Sequence, residues 1–220
     1  MIYVTAEQMK RLDRYAIEQC GIPAAFLMEN AGKAVADEAA RIAGDCEIIV
    51  FSGYGNNGGD GFVSARYLKE RSCRVKVFTT GPGKVFSQAA KVNLDAILKL
   101  NIIPEQIKLQ KDIDVVFNGM KDRTIIVDAI FGIGIKGLLD GFYQSIIERI
   151  NSTGFKIVSV DVPSGLDADT AEPRPCAVKA FSTVTFGYPK VGFTKTASKT
   201  YTGKVIVADI GLPTMDVTKI

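Results

Sequence analysis

The sequence predicts an α/β fold: a Rossmann-like three-layer sandwich with a mainly parallel central sheet, a mixed C-terminal edge and two extra N-terminal helices. Three observations lead there. Short apolar runs alternate with stretches of helical periodicity, the pattern of strand–helix–strand units. Runs such as Ile48-Ile49-Val50-Phe51 are apolar at successive positions, as strands covered on both faces require. The chain has 220 residues, 47% hydrophobic and 23% charged, enough for one sizeable core. One domain is expected over 1–220, without linker, repeat or low-complexity segment.

The elements follow in order. Thr5 is a candidate N-cap with Gln8 as its capping-box partner, and Met9, Leu12, Ala16 and Ile17 then fall at helical spacing. A second helix is expected over 24–43 with Leu27, Met28, Ala31, Val35 and Ala39 inward; its alanines and Gly32 suggest close packing. Strands are expected over 47–52, 74–80, 123–131 and 155–162. The helices between them are read over 62–71, 86–100 and 143–151, with a short one around Ile113–Met120. The end of the chain differs. Segments 181–188 and 203–211 read as strands with no clear helix between them, which predicts an antiparallel or mixed edge.

Bulk properties exclude several classes. A net charge of +3 is too slight to argue for nucleic acid or an anionic membrane. No apolar run approaches the ~20 residues of a membrane span. The first twenty residues carry acids early and no apolar core, so no signal peptide is expected. Cys20, Cys46, Cys73 and Cys176 lie far apart and suit a reducing cytoplasm. The Asn151-Ser152-Thr153 sequon is then idle. There is no histidine, which excludes Ser-His-Asp and Cys-His catalysis and imidazole-based zinc sites. Proton transfer must fall to Asp, Glu, Lys, Tyr, Cys or water.

In a sheet of this kind ligands sit beyond the carboxyl ends of the strands, near the switch in strand order. Three glycine-bearing loops should converge there. Gly53-Tyr54-Gly55-Asn56-Asn57-Gly58 and Gly132-Ile133-Gly134-Ile135-Lys136-Gly137 both match GxGxxG after a predicted strand. Either could present backbone N–H groups to an anion, or be no more than a tight turn. A dinucleotide site also expects an acid ending the next strand to hold the ribose, and here that strand runs into Thr79-Thr80-Gly81. Gly81-Pro82-Gly83-Lys84 lacks P-loop spacing and the following Ser/Thr. Asn57, Asp128 and Ser164 form an oxygen-rich set on neighbouring loops, suited to a monovalent cation or to a polar network bracing the turns. Asp161 ends an apolar strand before Pro163 and is the foremost acid–base candidate, with an N-cap or loop brace as its alternative. Asp167 and Asp169 read as loop braces. Lys136 could pair with phosphate or stand in solvent.

Taken together, the segments Gly55–Arg66, Val127–Gly134, Val160–Thr170, Thr183–Gly192 and Gly203–Pro213 resemble the NAD(P)HX epimerase family, the YjeF N-terminal domain. The opening helices match as well, so the resemblance runs from about Thr5 to Pro213. It implies interconversion of the R and S epimers of hydrated NADH and NADPH, which carry water at C6 of the nicotinamide ring. A companion NAD(P)HX dehydratase uses only the S form. The resemblance also implies that Asn56, Asn57, Gly58, Gly59 and Asp60 bind substrate. It gives Gly132, Ile133, Gly134, Ile135, Lys136, Gly137 and Leu138 as a second binding loop. Asp161 would contact the reacting ring, and Asn57, Asp128 and Ser164 would hold one potassium ion (K+) per subunit. A cytoplasmic homodimer with no dehydratase domain is expected. Ala171 stands where the family commonly has glycine, and Phe181-Ser182 where Ala-Asp is more usual. Two rivals are a non-catalytic dimerisation module of this fold, as in an RNA-decapping factor, and a nicotinamide-dependent oxidoreductase. The retained Asn57-Gly58-Gly59-Asp60 with Asp128 and Asp161 counts against the first, and the missing ribose acid against the second.

Overall fold

The structure, a computed structural model, describes residues 2–81, 85–135 and 137–213. Seven strands form one sheet: β1 (Glu47–Ser52), β2 (Arg74–Thr80), β3 (Glu105–Ile107), β4 (Thr124–Ala129), β5 (Lys156–Val160), β6 (Ser182–Phe186) and β7 (Lys204–Ala208). Their order is β3-β2-β1-β4-β5-β6-β7. Every pairing is parallel, including β6 with β7, where Ser182 stands opposite Lys204 and Phe186 opposite Ala208. The predicted mixed edge is therefore corrected. A parallel neighbour needs a crossover, and here two 3-10 turns (Val191–Thr194 and Thr196–Ser198) and the four-residue helix α7 (Lys199–Thr202) supply it. Pieces this short carry no helical periodicity to read. The short β3 was not anticipated either.

The helices are α1 (Ala6–Glu18), α2 (Ala24–Ala43), α3 (Asn56–Glu70), α4 (Gln88–Lys99), α5 (Gln110–Asn118) and α6 (Gly141–Ser152). The Thr5–Gln8 capping box starts α1. Of the four apolar positions at helical spacing in α1, Met9, Leu12 and Ala16 are buried and Ile17 is exposed. The sheet alternates its side chains between two cores, as period-two geometry demands. Ile48 and Val50 join the apolar faces of α2 and α3 on one side. Ile49 and Phe51 meet Ile113 and Phe117 of α5 and Ile146, Ile147 and Ile150 of α6 on the other.

The main departure from the sequence reading is the start of α3. It begins at Asn56, six residues before Phe62, so the glycine-rich segment forms its first turns rather than a loop. Poor helix formers are held helical here because the backbone needs the room. A Cβ on Gly58 would lie 1.9 Å from the carbonyl oxygen of Gly53, and one on Gly61 2.7 Å from Ser52 Oγ. Gly32 of α2 serves the same packing, since a Cβ there would meet the Val63 side chain at 2.4 Å. Strand, α3 and α2 thus close to distances that a methyl group would prevent.

Candidate active site

The strand order reverses between β1 and β4, and a cleft of about 600 Å³ opens at the carboxyl ends of the central strands. That volume suits a small-molecule ligand. The three expected loops do converge: the cleft is lined by Tyr54 to Asn57 and Asp60, by Ile130 to Ile135 with Leu138, and by Asp161. Gly58, Gly59 and Gly137 shape the backbone without lining it. Lys136 lies outside the described residues. Helix α1 adds an unanticipated wall of Met9, Lys10 and Asp13. It is pinned there by the Val4 N–H to Pro189 O bond (3.0 Å), the Val191 N–H to Val4 O bond (2.9 Å) and the Ala6 N–H on Asp169 Oδ1 (2.7 Å).

One end of the cleft is closed beside β2. Tyr54 Oη donates to Gly81 O at 2.9 Å and Tyr143 Oη to Thr80 O at 3.0 Å. Burial pushes the Tyr143 phenol up to about 12, so it stays a neutral donor. The absent ribose acid at the tip of β2 therefore coincides with a position filled by tyrosines. The cleft itself runs the other way, along the carboxyl ends of β4, β5 and β6. The Gly55 N-cap supplies no side-chain hydrogen bond, and Gly55, Asn56 and Asn57 line the cleft, so the first N–H groups of α3, uncapped among the described residues, are placed as an anion site requires.

At the far end Asp161 sits in a three-residue turn, with Val162 N–H donating to Val160 O at 2.7 Å. Its φ is 61°, a left-handed conformation that a non-glycine residue holds only at a cost of about 1–2 kcal/mol. The turn aims its carboxyl back across β6, where Oδ1 accepts from Thr185 Oγ1 (3.1 Å), Phe186 N–H (3.3 Å) and Lys190 Nζ (2.7 Å). Lys190 is fully buried and also donates to Thr185 Oγ1 (2.9 Å) and Tyr188 O (3.1 Å). Two further carboxyls share this end. Burial, reinforced by the charge of Asp161 and partly offset by Lys190, raises Asp13 to about 6. Burial, with the charges of Asp161 and Asp13, pushes Asp60 well above the usual carboxylate range. Sequence reading missed Lys190 and Asp13. Lys190 follows Gly187-Tyr188-Pro189, a turn-like context that carries no sign of burial. Asp13 did carry a signal, since it lies four residues after Met9 and so borders the apolar stripe of α1.

Asp128 is of another kind. Its Oδ2 accepts from Ser159 Oγ (2.8 Å) and Ser164 N–H (2.9 Å), and its Oδ1 from Ser164 Oγ and Ile130 N–H (3.4 Å). Ser164 Oγ in turn accepts from Phe131 N–H at 2.9 Å. Asn57 lies next along this wall, and a Cβ on Gly132 would come 2.9 Å from its Oδ1. Its Nδ2 is buried with no partner among the described residues. An NH2 group facing a protein acceptor would not be left orphaned; turned over, the amide would present oxygen there instead. Among the described residues no three His, Cys, Asp or Glu side chains gather as a metal cage. One carboxylate among neutral oxygens fits a monovalent cation rather than a divalent one.

Asp167 and Asp169 are braces, as expected. Asp167 accepts from the N–H groups of Asp169 (2.9 Å) and Thr170 (2.8 Å) and from Arg174. Burial alone would raise it, but these donors outweigh burial and hold it at about 2. In the same loop Ala171 has φ 61°, which explains why glycine is the commoner residue there.

The sequence pattern described as YjeF-related protein N-terminus matches residues 24–192. The chain belongs to this family. It is 42% identical to the NAD(P)H-hydrate epimerase of Limosilactobacillus reuteri over 97% of this chain and 98% of that one. It is 38% identical to the bifunctional NAD(P)H-hydrate repair enzyme Nnr of Moorella thermoacetica, over 97% of this chain and 41% of that protein. The crystal structure of yeast ynu0 superposes with a TM-score of 0.75 at 26% identity, covering 88% of this chain and 84% of that one.

Proposed function

We propose that this chain is an NAD(P)H-hydrate epimerase that interconverts the R and S forms of hydrated NADH and NADPH. The observation that carries the reading is the cleft: an uncapped helix N-terminus at its mouth and an isolated acid cluster at its end, with the usual ribose position filled by tyrosines. That geometry suits a nicotinamide nucleotide whose phosphates lie on α3 and the 132–138 loop and whose ring lies against Asp161. Near-full-length identity to a named epimerase supports the same reaction. C6 of the hydrated ring carries both a hydroxyl and the ring nitrogen, so it is a hemiaminal carbon. Its configuration is lost by expelling the hydroxyl to an iminium or by opening the C–N bond to an aldehyde. Either route needs a proton delivered and later removed, which a carboxyl of tuned pKa can do.

Asn57, Asp128 and Ser164 would hold potassium, which would supply fixed positive charge between the loops. The readout is stability: potassium, unlike lithium at equal ionic strength, should raise the melting temperature. A homodimer, a cytoplasmic setting and a dehydratase as functional partner belong to the same reading. The relatives that combine repair activities in one longer chain support the dehydratase link. No helix among the described residues is long and apolar enough to cross a membrane. The test is to feed the R epimer of NADHX and follow the S epimer chromatographically. Conversion above the spontaneous background is expected. None, with an intact fold and potassium present, would favour the dimerisation scaffold.

A further inference from the structure

We propose that the acid end of the cleft divides two roles between two carboxyls, with Asp161 fixed by Lys190 as a standing anion and Asp13 of α1 carrying the proton to and from the substrate. This rests on the epimerase reading above.

Three carboxyls, Asp13, Asp60 and Asp161, share one end of a cleft walled by Met9, Phe186 and Ile210. The only fully buried cation there among the described residues is Lys190, and its ammonium lies 2.7 Å from Asp161 Oδ1. One ammonium balances one carboxylate. Asp13 and Asp60 accept no hydrogen bond from the described residues, and one ammonium cannot balance three negative charges in so confined a space. The remaining carboxyls must hold protons over part of the accessible pH range.

The two differ in access. Asp60 lines the cleft too, from the first turns of α3, but is buried, with 8% of its surface exposed. Asp13 is only half-buried, lines the cleft and can exchange its proton with water. The ionisable groups facing Asp13 are Lys10 of its own helix, Asp60 of α3, Asp161 after β5 and Lys190 after β6; Tyr54, Tyr143 and Asp140 stand at the other end. Burial and Asp161 outweigh Lys190 and bring Asp13 to about 6, where a carboxyl both gives and takes a proton readily. Asp161, paired and strained into place, suits the complementary task of stabilising positive charge on the ring.

The Asp13 carboxyl protonates the C6 hydroxyl. The C6–O bond breaks, its electron pair leaves with oxygen as water, and the ring nitrogen's lone pair forms the C=N bond of an iminium beside Asp161. Water then adds to the opposite face of C6, the C=N pair returns to nitrogen, and the surplus proton passes through cleft water back to Asp13. Nothing is oxidised or reduced.

The test is kcat/KM for R-to-S conversion from pH 5 to 8, background subtracted, for the wild type and Asp13→Asn. The wild type should show a limb falling about tenfold per pH unit above ~6. The variant should be flat, at least a hundredfold slower at pH 5.5 and approaching the wild type by pH 8. A limb retained in Asp13→Asn at near-normal rate overturns the proposal. If that variant does not fold, carboxyl-carbon NMR of the wild type decides: Asp13 titrating near 6 supports it, and titration near ~3.9 overturns it. A wild type with no conversion at all instead defeats the epimerase reading itself.

Discussion

Asp128 and Asp60 are both enclosed carboxyls near the central strands, and they are treated in opposite ways. Asp128 receives four hydrogen bonds, two of them from one serine, and ties the loops after β4 and β5 together. Asp60 receives none from the described residues, and neither does Asp13 beside it. A satisfied carboxyl is a brace: its acceptor positions are already taken. An unsatisfied one keeps its hydrogen-bonding capacity for something else, and burial without donors is costly unless a ligand repays it. The contrast separates the part of the rim that sets geometry from the part available for chemistry.

The largest effect should come from breaking the brace. Asp128→Ala leaves Ser159, Ser164 and two backbone amides around an empty acceptor position. A loss of roughly 3–5 kcal/mol is expected, read by urea denaturation. A loss below ~1 kcal/mol would mean that the network is incidental.

Asp60→Asn should go the other way. A carboxyl whose folded pKa is raised favours the folded state only below its unfolded pKa; that advantage is lost as pH rises towards the folded value. At pH 7 the amide should therefore be the more stable form, with the difference vanishing near pH 4. Turnover should fall even as stability rises. Unchanged stability across that range would place Asp60 among the braces.

The smallest effect is expected at Asp167, whose donors hold it at about 2. A lowered carboxyl stabilises above its unfolded pKa and loses this as pH falls through the folded value. Asp167→Asn should cost about 1–2 kcal/mol at neutral pH, allowing for solvent screening, and most of that cost should be gone by pH 2. Thermal melts across pH 2–7 measure it.

These contrasts also mark what could be read from the sequence. Strand β1 was legible to the residue because six consecutive buried positions leave no other reading. Helix α2 was legible for its long inward stripe. The start of α3 was not, because Asn56 to Gly61 are helical through close backbone packing, against their own propensity. Asp128, Asp161 and Ser164 were legible by position, each at or just beyond the end of a strand. The partner of Asp161 was not: Lys190 meets it only after a chain excursion of 29 residues, and no local pattern encodes such a meeting. Asp13 showed only as a polar residue bordering an apolar helix face.

The most direct test of the central claim, that the acid end of the cleft performs the epimerisation, is Asp161→Asn with turnover and substrate binding measured side by side. Loss of most activity is expected, with affinity for hydrated NADH within about tenfold, or roughly 1.4 kcal/mol. Near-normal turnover in that variant would contradict the account.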